Sequence, residues 1–187
     1  KESEVISFFN EVYSFFGRID VLINNAGKQL NKPFMELSSN DWNKIIKLNL
    51  YGYFFCCKSA GKYMIQQGSG KIINISSVLS RFALPGRAPY SVSKAGIEAL
   101  TRVLASEWAE YNILVNAIAP GHIDTELVRK DIDKGLLDHE SLKKRSLLNR
   151  MGDPDDVGMM IEFLSSEKSK FITGQTFNVD GGFSIKK

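Results

Sequence analysis

Three apolar runs, Ile19–Asn24, Lys71–Ser77 and Ile113–Ala119, constrain this chain most, because segments of helical periodicity separate them. The third run is apolar at almost every position, as a parallel strand buried on both faces must be. Thr176–Asp180 closes the series. Ahead of the first run, Val5, Phe8, Phe9, Val12, Phe15 and Phe16 form a helical stripe that Gly17 ends. Ser38 reads as an N-cap with Asp41 three residues on, and Leu37 can staple against Trp42. That helix runs through Ile45, Ile46, Leu50, Phe54 and Phe55 to about Gln67, where Gly68-Ser69-Gly70 stops it. Pro89 starts another, with an inward stripe of Ile97, Leu100, Leu104 and Trp108. Glu126–Arg150 is charged, with Gly135 as a break between two short helices. Asp153-Pro154 opens a last helix, ending near Ser165. Alternating β and α segments with buried strands predict an α/β fold with a doubly wound parallel sheet. Residues 1–187 read as a single domain, without internal repeat, low-complexity tract or linker.

With 43% hydrophobic and 24% charged residues, 187 positions supply ample material for a core. The net charge is +3, and Lys and Arg are interleaved with Asp and Glu, so no nucleic-acid footprint is present. No apolar run nears the roughly 18 residues of a membrane span, and nothing reads as a signal peptide; a cytoplasmic protein off the membrane is expected. Cys56 and Cys57 are helix neighbours pointing in different directions, so they read as packed thiols, and no metal site is expected.

The chemistry-bearing feature is Tyr90-Ser91-Val92-Ser93-Lys94, with Ser77 thirteen residues upstream of the tyrosine. On a helix, positions i and i+4 share a face, which sets Lys94 beside Tyr90. A cation there favours the phenolate and is expected to lower the tyrosine pKa. Ser77 ends a strand, where open α/β sheets build their sites. A phenol, an ammonium and a hydroxyl can together manage a proton while a hydride moves at carbon. Alone, a Tyr/Lys pair of this spacing is commonly a solvated helix face.

The pair has company, in order: Asn24-Asn25-Ala26-Gly27 after the first apolar run, Asn49 in Lys47-Leu48-Asn49-Leu50, the serine strand, the Tyr/Lys helix, Pro120-Gly121-His122-Ile123-Asp124-Thr125, and Val179-Asp180-Gly181-Gly182. Over nearly the whole chain this series resembles the short-chain dehydrogenase/reductase family. The resemblance implies a Rossmann-type fold and an NAD- or NADP-dependent oxidoreductase interconverting a secondary alcohol and a ketone. It makes Tyr90 the general acid/base and gives Lys94 two tasks, lowering the Tyr90 pKa and binding the nicotinamide ribose. Ser77 would hydrogen-bond the substrate oxygen, the family spacing selecting it over Ser76. Asn49 would mark a helix kink whose water relays protons to the lysine; the alternative is a solvent-facing asparagine. Asn24, Ala26 and Gly27 match the turn that approaches the adenosine ribose, with Asn25 tying that turn to neighbouring strands. Pro120, Gly121, Ile123 and Thr125 are cofactor-side positions, Gly121 permitting close backbone approach and the latter two matching those that hold the carboxamide. His122 and His139 read as surface residues.

The family's opening strand, glycine-rich turn and helix are not found in these residues. The chain is therefore expected to be the C-terminal three-quarters of a longer one, with about 60 residues ahead of it. Without them, Val21, Leu22 and Ile23 would form an open apolar edge, and the residue that selects NAD or NADP is not readable. Substrate choice falls to Arg81–Pro89 and to the lid-like Glu126–Arg150, which carries seven Lys/Arg against five Asp/Glu. The expected substrate is a small polar compound such as a sugar or sugar acid. The alternative is a 3-oxoacyl chain on acyl carrier protein, docking on Arg129 and Lys130. A non-catalytic scaffold is the rival class. Phe54, Phe55, Trp108 and Tyr111 either form a subunit contact in a homotetramer or dimer, or fill the core.

Overall fold

The computed structural model describes residues 1–133, 135 and 137–186, the side chains of Leu127 and Asp131 excepted; Lys134 and Leu136 of the charged segment lie outside the described residues. Four strands form one parallel sheet in the order β1 (Val21–Asn24), β2 (Gly70–Ile75), β3 (Ile113–Pro120), β4 (Thr176–Val179). The helices are α1 (Glu2–Phe16), α2 (Ser39–Ile46), α3 (Gly52–Gln67), α4 (Ala88–Trp108), α5 (Glu126–Asp133), α6 (His139–Lys144) and α7 (Pro154–Ser165).

Side chains alternate across a strand, and β2 shows the result. Ile72 joins one core with Phe9, Cys57, Met64 and Leu104 from α1, α3 and α4. Ile73 and Ile75 join the other with Ile118 and Leu164, against α7. Helices thus cover both faces, as the buried runs require.

The local signals act as expected at several ends. Ser38 Oγ accepts from the Asp41 backbone N at 3.1 Å, and Asp41 Oδ2 accepts from the Ser38 N at 3.2 Å, closing the capping box of α2. Asp153 caps α7 ahead of Pro154. Gly17 and Gly68 end α1 and α3 in the left-handed region, at φ 71° and 66°.

One expectation needs correction. The stripe of α1 does not bury Phe8, Phe15 and Phe16, which are 58%, 81% and 67% exposed; the helix packs through Val5, Phe9, Val12 and Tyr13 instead. About four turns can present only one face to α3, and six apolar positions overfill it. Of the four aromatics offered either to a subunit contact or to the core, Trp108 and Tyr111 pack on the core, Trp108 so closely that a side-chain carbon at Gly61 would meet it at 2.6 Å. Phe54 stays 43% exposed. β1 stands at the edge of the sheet with Ile23 45% exposed. No helix among the described residues is long and apolar enough to cross a membrane.

Candidate active site

The carboxyl ends of β1, β2 and β3 and the first turns of α4 converge on a cavity of about 230 Å³. Gly27, Ser77, Tyr90, Lys94, Pro120, Gly121 and Thr125 all line it. Ser77 and Tyr90 also border a second cavity of about 420 Å³, which Ile123 and His122 help to line. The two spaces therefore meet at the serine and the tyrosine.

Lys94 is 3% exposed, and its Nζ donates to the Ile75 carbonyl at 2.6 Å. Among the described residues this is its only hydrogen bond, leaving two N–H donors of the ammonium for the cavity. Burial lowers its pKa to about 8. Its Nζ lies 5.7 Å from the centre of the Tyr90 ring. Gly27 keeps the space beside it open, since a side-chain carbon there would lie 3.7 Å from Nζ and 3.4 Å from Asn49 Oδ1.

The expected depression of the Tyr90 pKa is not found. Burial raises it, and hydrogen bonding with Ser77 and the charge of Arg87 pull it back only in part. Lys94 spends its short contact on Ile75, so in this state desolvation of the phenolate outweighs the cations.

Ser77 Oγ accepts from the Leu79 N at 3.2 Å, which holds the turn after β2. The Ser76 hydroxyl is turned away, 3.1 Å from Glu98 Oε1 and 3.2 Å from the Lys94 carbonyl. Geometry thus separates the two serines. Glu98 was not singled out by the sequence reading. It is 4% exposed and also accepts from Ser80 Oγ at 2.5 Å and Arg81 Nε at 3.1 Å, so it fastens the turn carrying Ser77. Its signal was present: Tyr90, Lys94 and Glu98 follow one another at four-residue steps.

Asn49 is fully buried, which overturns the solvent-facing alternative. It lies in a π-helical turn, Lys47–Tyr51, between α2 and α3. Its Oδ1 accepts from the Lys28 N at 2.9 Å, and its Nδ2 donates to the Lys28 carbonyl at 2.8 Å and to Ser93 Oγ at 3.2 Å. One amide thereby clamps the loop after β1 and touches the residue preceding Lys94. Asn49→Ala is expected to cost about 1–3 kcal/mol by leaving the Lys28 backbone groups without this partner. Urea unfolding measures it, and a loss below about 0.5 kcal/mol would show that the clamp is dispensable.

At the end of β1, the tie to the neighbouring strand expected of Asn25 is made by Asn24. Asn24 makes the tie to the sheet, its Nδ2 donating to Asn74 Oδ1 at 2.9 Å, while Asn25 lines the smaller cavity. Asn24, Asn25 and Ala26 also border a groove along the β1 edge with Leu22 and Ile23. Gly121 sits where a side-chain carbon would strike Asp180 Cα at 2.8 Å, so its smallness serves contact with the end of β4. Ile123 pairs with Gly152, and Thr125 Oγ1 accepts from the Val128 N at 3.4 Å at the start of α5. His122 is half-buried against Phe183 and Arg145, not on the surface; burial first, then Arg145 and Arg87, lower its pKa to about 4.

A hydroxyl, a phenol and an ammonium converging at the carboxyl end of a parallel sheet suit proton transfer at a carbon–oxygen bond. A family model described as Enoyl-(Acyl carrier protein) reductase matches residues 1–184. The 3-oxoacyl-acyl-carrier-protein reductase FabG of Thermotoga maritima is 40% identical over 175 residues, 94% of this chain and 70% of that protein. The 3-oxoacyl-acyl-carrier-protein reductase of Synechocystis is 41% identical over 180 residues, 96% of this chain and 70% of that protein. The structure of a gluconate 5-dehydrogenase of Burkholderia cenocepacia, in complex with NADP and tartrate, is 37% identical with a TM-score of 0.94, covering 100% of this chain and 73% of that one. The chain belongs to the short-chain dehydrogenase/reductase family of oxidoreductases.

Proposed function

We propose that this protein interconverts a secondary alcohol and a ketone on a small polar molecule such as a sugar or sugar acid, with Tyr90 as general acid/base. The observation that carries the reading is the buried Lys94 with two uncommitted donors, set between Tyr90, Ser77 and the open space at Gly27. That donor set fits a ribose and so a nicotinamide nucleotide, which the related gluconate 5-dehydrogenase structure holds as NADP. NAD or NADP, when bound, supplies or accepts the hydride. Lys94 and Tyr90 would hold the ribose, with Gly27, Pro120, Gly121, Ile123 and Thr125 around the remainder and Asn24 and Ala26 shaping the turn.

In reduction, Tyr90 gives its phenolic proton to the substrate oxygen while the Ser77 hydroxyl donates a hydrogen bond to that oxygen; in oxidation, Tyr90 takes the proton back. Lys94 offsets the charge left on Tyr90, a role that grows as the phenolate forms. Asn49 positions Lys94 through Ser93 and the Lys28 loop.

The polar-substrate reading is supported by Gln29, Asn31, Arg87 and Arg145, which line the larger cavity beside the apolar Val78, Leu79, Leu84 and Leu142. The acyl-carrier-protein reading has the two reductase relatives behind it. Against it, Arg129 and Lys130, the expected docking cations, are already paired with Asp124 at 2.9 Å and Glu126 at 2.6 Å. A cytoplasmic homotetramer or dimer belongs to the same proposal, with the exposed Phe54, Val92 and Val103 of α3 and α4 as contact material. The test is nicotinamide absorbance during turnover of a panel of sugar acids, neutral sugars and a 3-oxoacyl thioester, with each nucleotide. Preference for the thioester would replace the polar-substrate reading, and no turnover at all would leave the scaffold reading in place.

A further inference from the structure

The larger cavity carries an electrostatic feature that proton transfer at Tyr90 does not use. Arg87 at the start of α4, His122 after β3 and Arg145 after α6 reach it from three separate segments, and no Asp or Glu among the described residues lines it. Elsewhere in the chain, apart from the exposed Arg102, arginines find carboxylates: Arg18 pairs with Asp20, Arg81 with Glu98, Arg129 with Asp124 and Arg150 with Asp156. Arg145 does not. It is half-buried, and its one polar contact among the described residues is Nη1 to His122 Nε2 at 3.5 Å. That histidine is held neutral by burial and by Arg145 and Arg87 together, so the fields of both guanidinium groups meet inside the cavity. Neutral His122 can accept from Arg145 and aim its fork without cancelling its charge.

A half-buried guanidinium lacking a counter-ion is poorly stabilised unless an anion arrives. Its planar fork suits an anionic oxygen group, carboxylate or phosphate ester, bound by two parallel N–H donors. We propose that the cavity beyond Tyr90 is an anion subsite, in which Arg145, steered by His122 and supported by Arg87, holds the charged end of the substrate. The carbon bearing the reactive oxygen then lies toward Ser77 and Tyr90. This rests on the oxidoreductase reading for its purpose but not for its binding chemistry.

The test is therefore binding first. Calorimetry would compare D-gluconate, glucose 6-phosphate and neutral sorbitol on the wild-type protein and on Arg145→Gln and Arg145→Lys. Gluconate or the phosphate ester is expected to bind well above sorbitol, the tighter of the two naming the anion. Arg145→Gln should weaken that binding about 10- to 100-fold, with Arg145→Lys, which keeps the charge but loses the fork, in between. A circular-dichroism melt establishes that each variant is folded. Equal binding by folded Arg145→Gln, or sorbitol binding as well as the anions, would overturn the subsite. Steady-state turnover separates the two claims. Anion binding without any turnover keeps the subsite and removes the oxidoreductase reading. Turnover of neutral alcohols with no anion preference does the reverse.

Discussion

Tyr90→Phe is expected to lower turnover in both directions by about a thousand-fold, while nucleotide affinity falls by no more than about tenfold, the loss of one hydrogen bond to the ribose. The substitution removes one oxygen and keeps the ring that stands 5.7 Å from Lys94 Nζ. The hydroxyl is the acidic group shared by both cavities, since Ser77 is far too weak an acid and His122 is held neutral. Burial raises the Tyr90 pKa, so the phenol stays protonated through the neutral range and is ready to act as an acid. The reverse reaction needs the phenolate and should gain rate as pH rises. Initial rates in both directions, together with nucleotide titration by calorimetry, decide the matter. A variant retaining a tenth of wild-type activity would remove Tyr90 from the chemistry.

Lys94→Met is expected to lose most activity and, separately, to erase a pH dependence of stability. The ammonium has a folded pKa of about 8, against an ordinary 10.5. Between those values the unfolded chain binds more protons than the folded one, so stability rises with pH across that window. The slope is at most about 1.4 kcal/mol per pH unit and totals roughly 3 kcal/mol. Below the folded pKa the charge is present in both states and its burial penalty is felt in full. Methionine fills similar space without the charge, and the Ile75 carbonyl keeps the Tyr53 hydroxyl as a donor at 3.1 Å. Urea midpoints near pH 7.5 and 9.5 should therefore rise in the wild type and rise less in the variant. Equal rises would mean that Lys94 is hydrated rather than buried in solution.

Local signals in the sequence carried the fold well. Capping at Ser38 and Asp153, stops at Gly17 and Gly68, and the apolar runs depend on nearest neighbours, which a sequence displays. Family motif and spacing likewise placed Ser77, Tyr90 and Lys94 at one cavity. What escaped depends on contacts between distant segments. Asn24 and Asn25 are chemically identical, and only the register of β1 on β2 sets Asn24 opposite Asn74. The direction of the Tyr90 shift follows from how deeply the ring is buried and where the Lys94 ammonium spends its hydrogen bond. His122 looks like any loop histidine until Phe183 and Arg145, far along the chain, close around it.

The π-helical turn at Asn49 has a consequence for chain length. Ile45, Asn49, Tyr53 and Cys57 are all buried at steps of four, a spacing that drifts by about 40° per step on an ordinary helix of 3.6 residues per turn. The wider turn absorbs that drift, so α2 and α3 both face inward although they are in different phase. Straightening Lys47–Tyr51 into a plain helix with its residue count unchanged would rotate everything beyond it by about 100°, carrying Cys57, Ala60 and Met64 off the sheet, whereas losing one residue together with the wide turn would keep the two helices in phase. The segment thus carries one residue more than a plain helix of the same alignment needs, and the wide turn that houses it is where the Asn49 amide reaches Lys28 and Ser93.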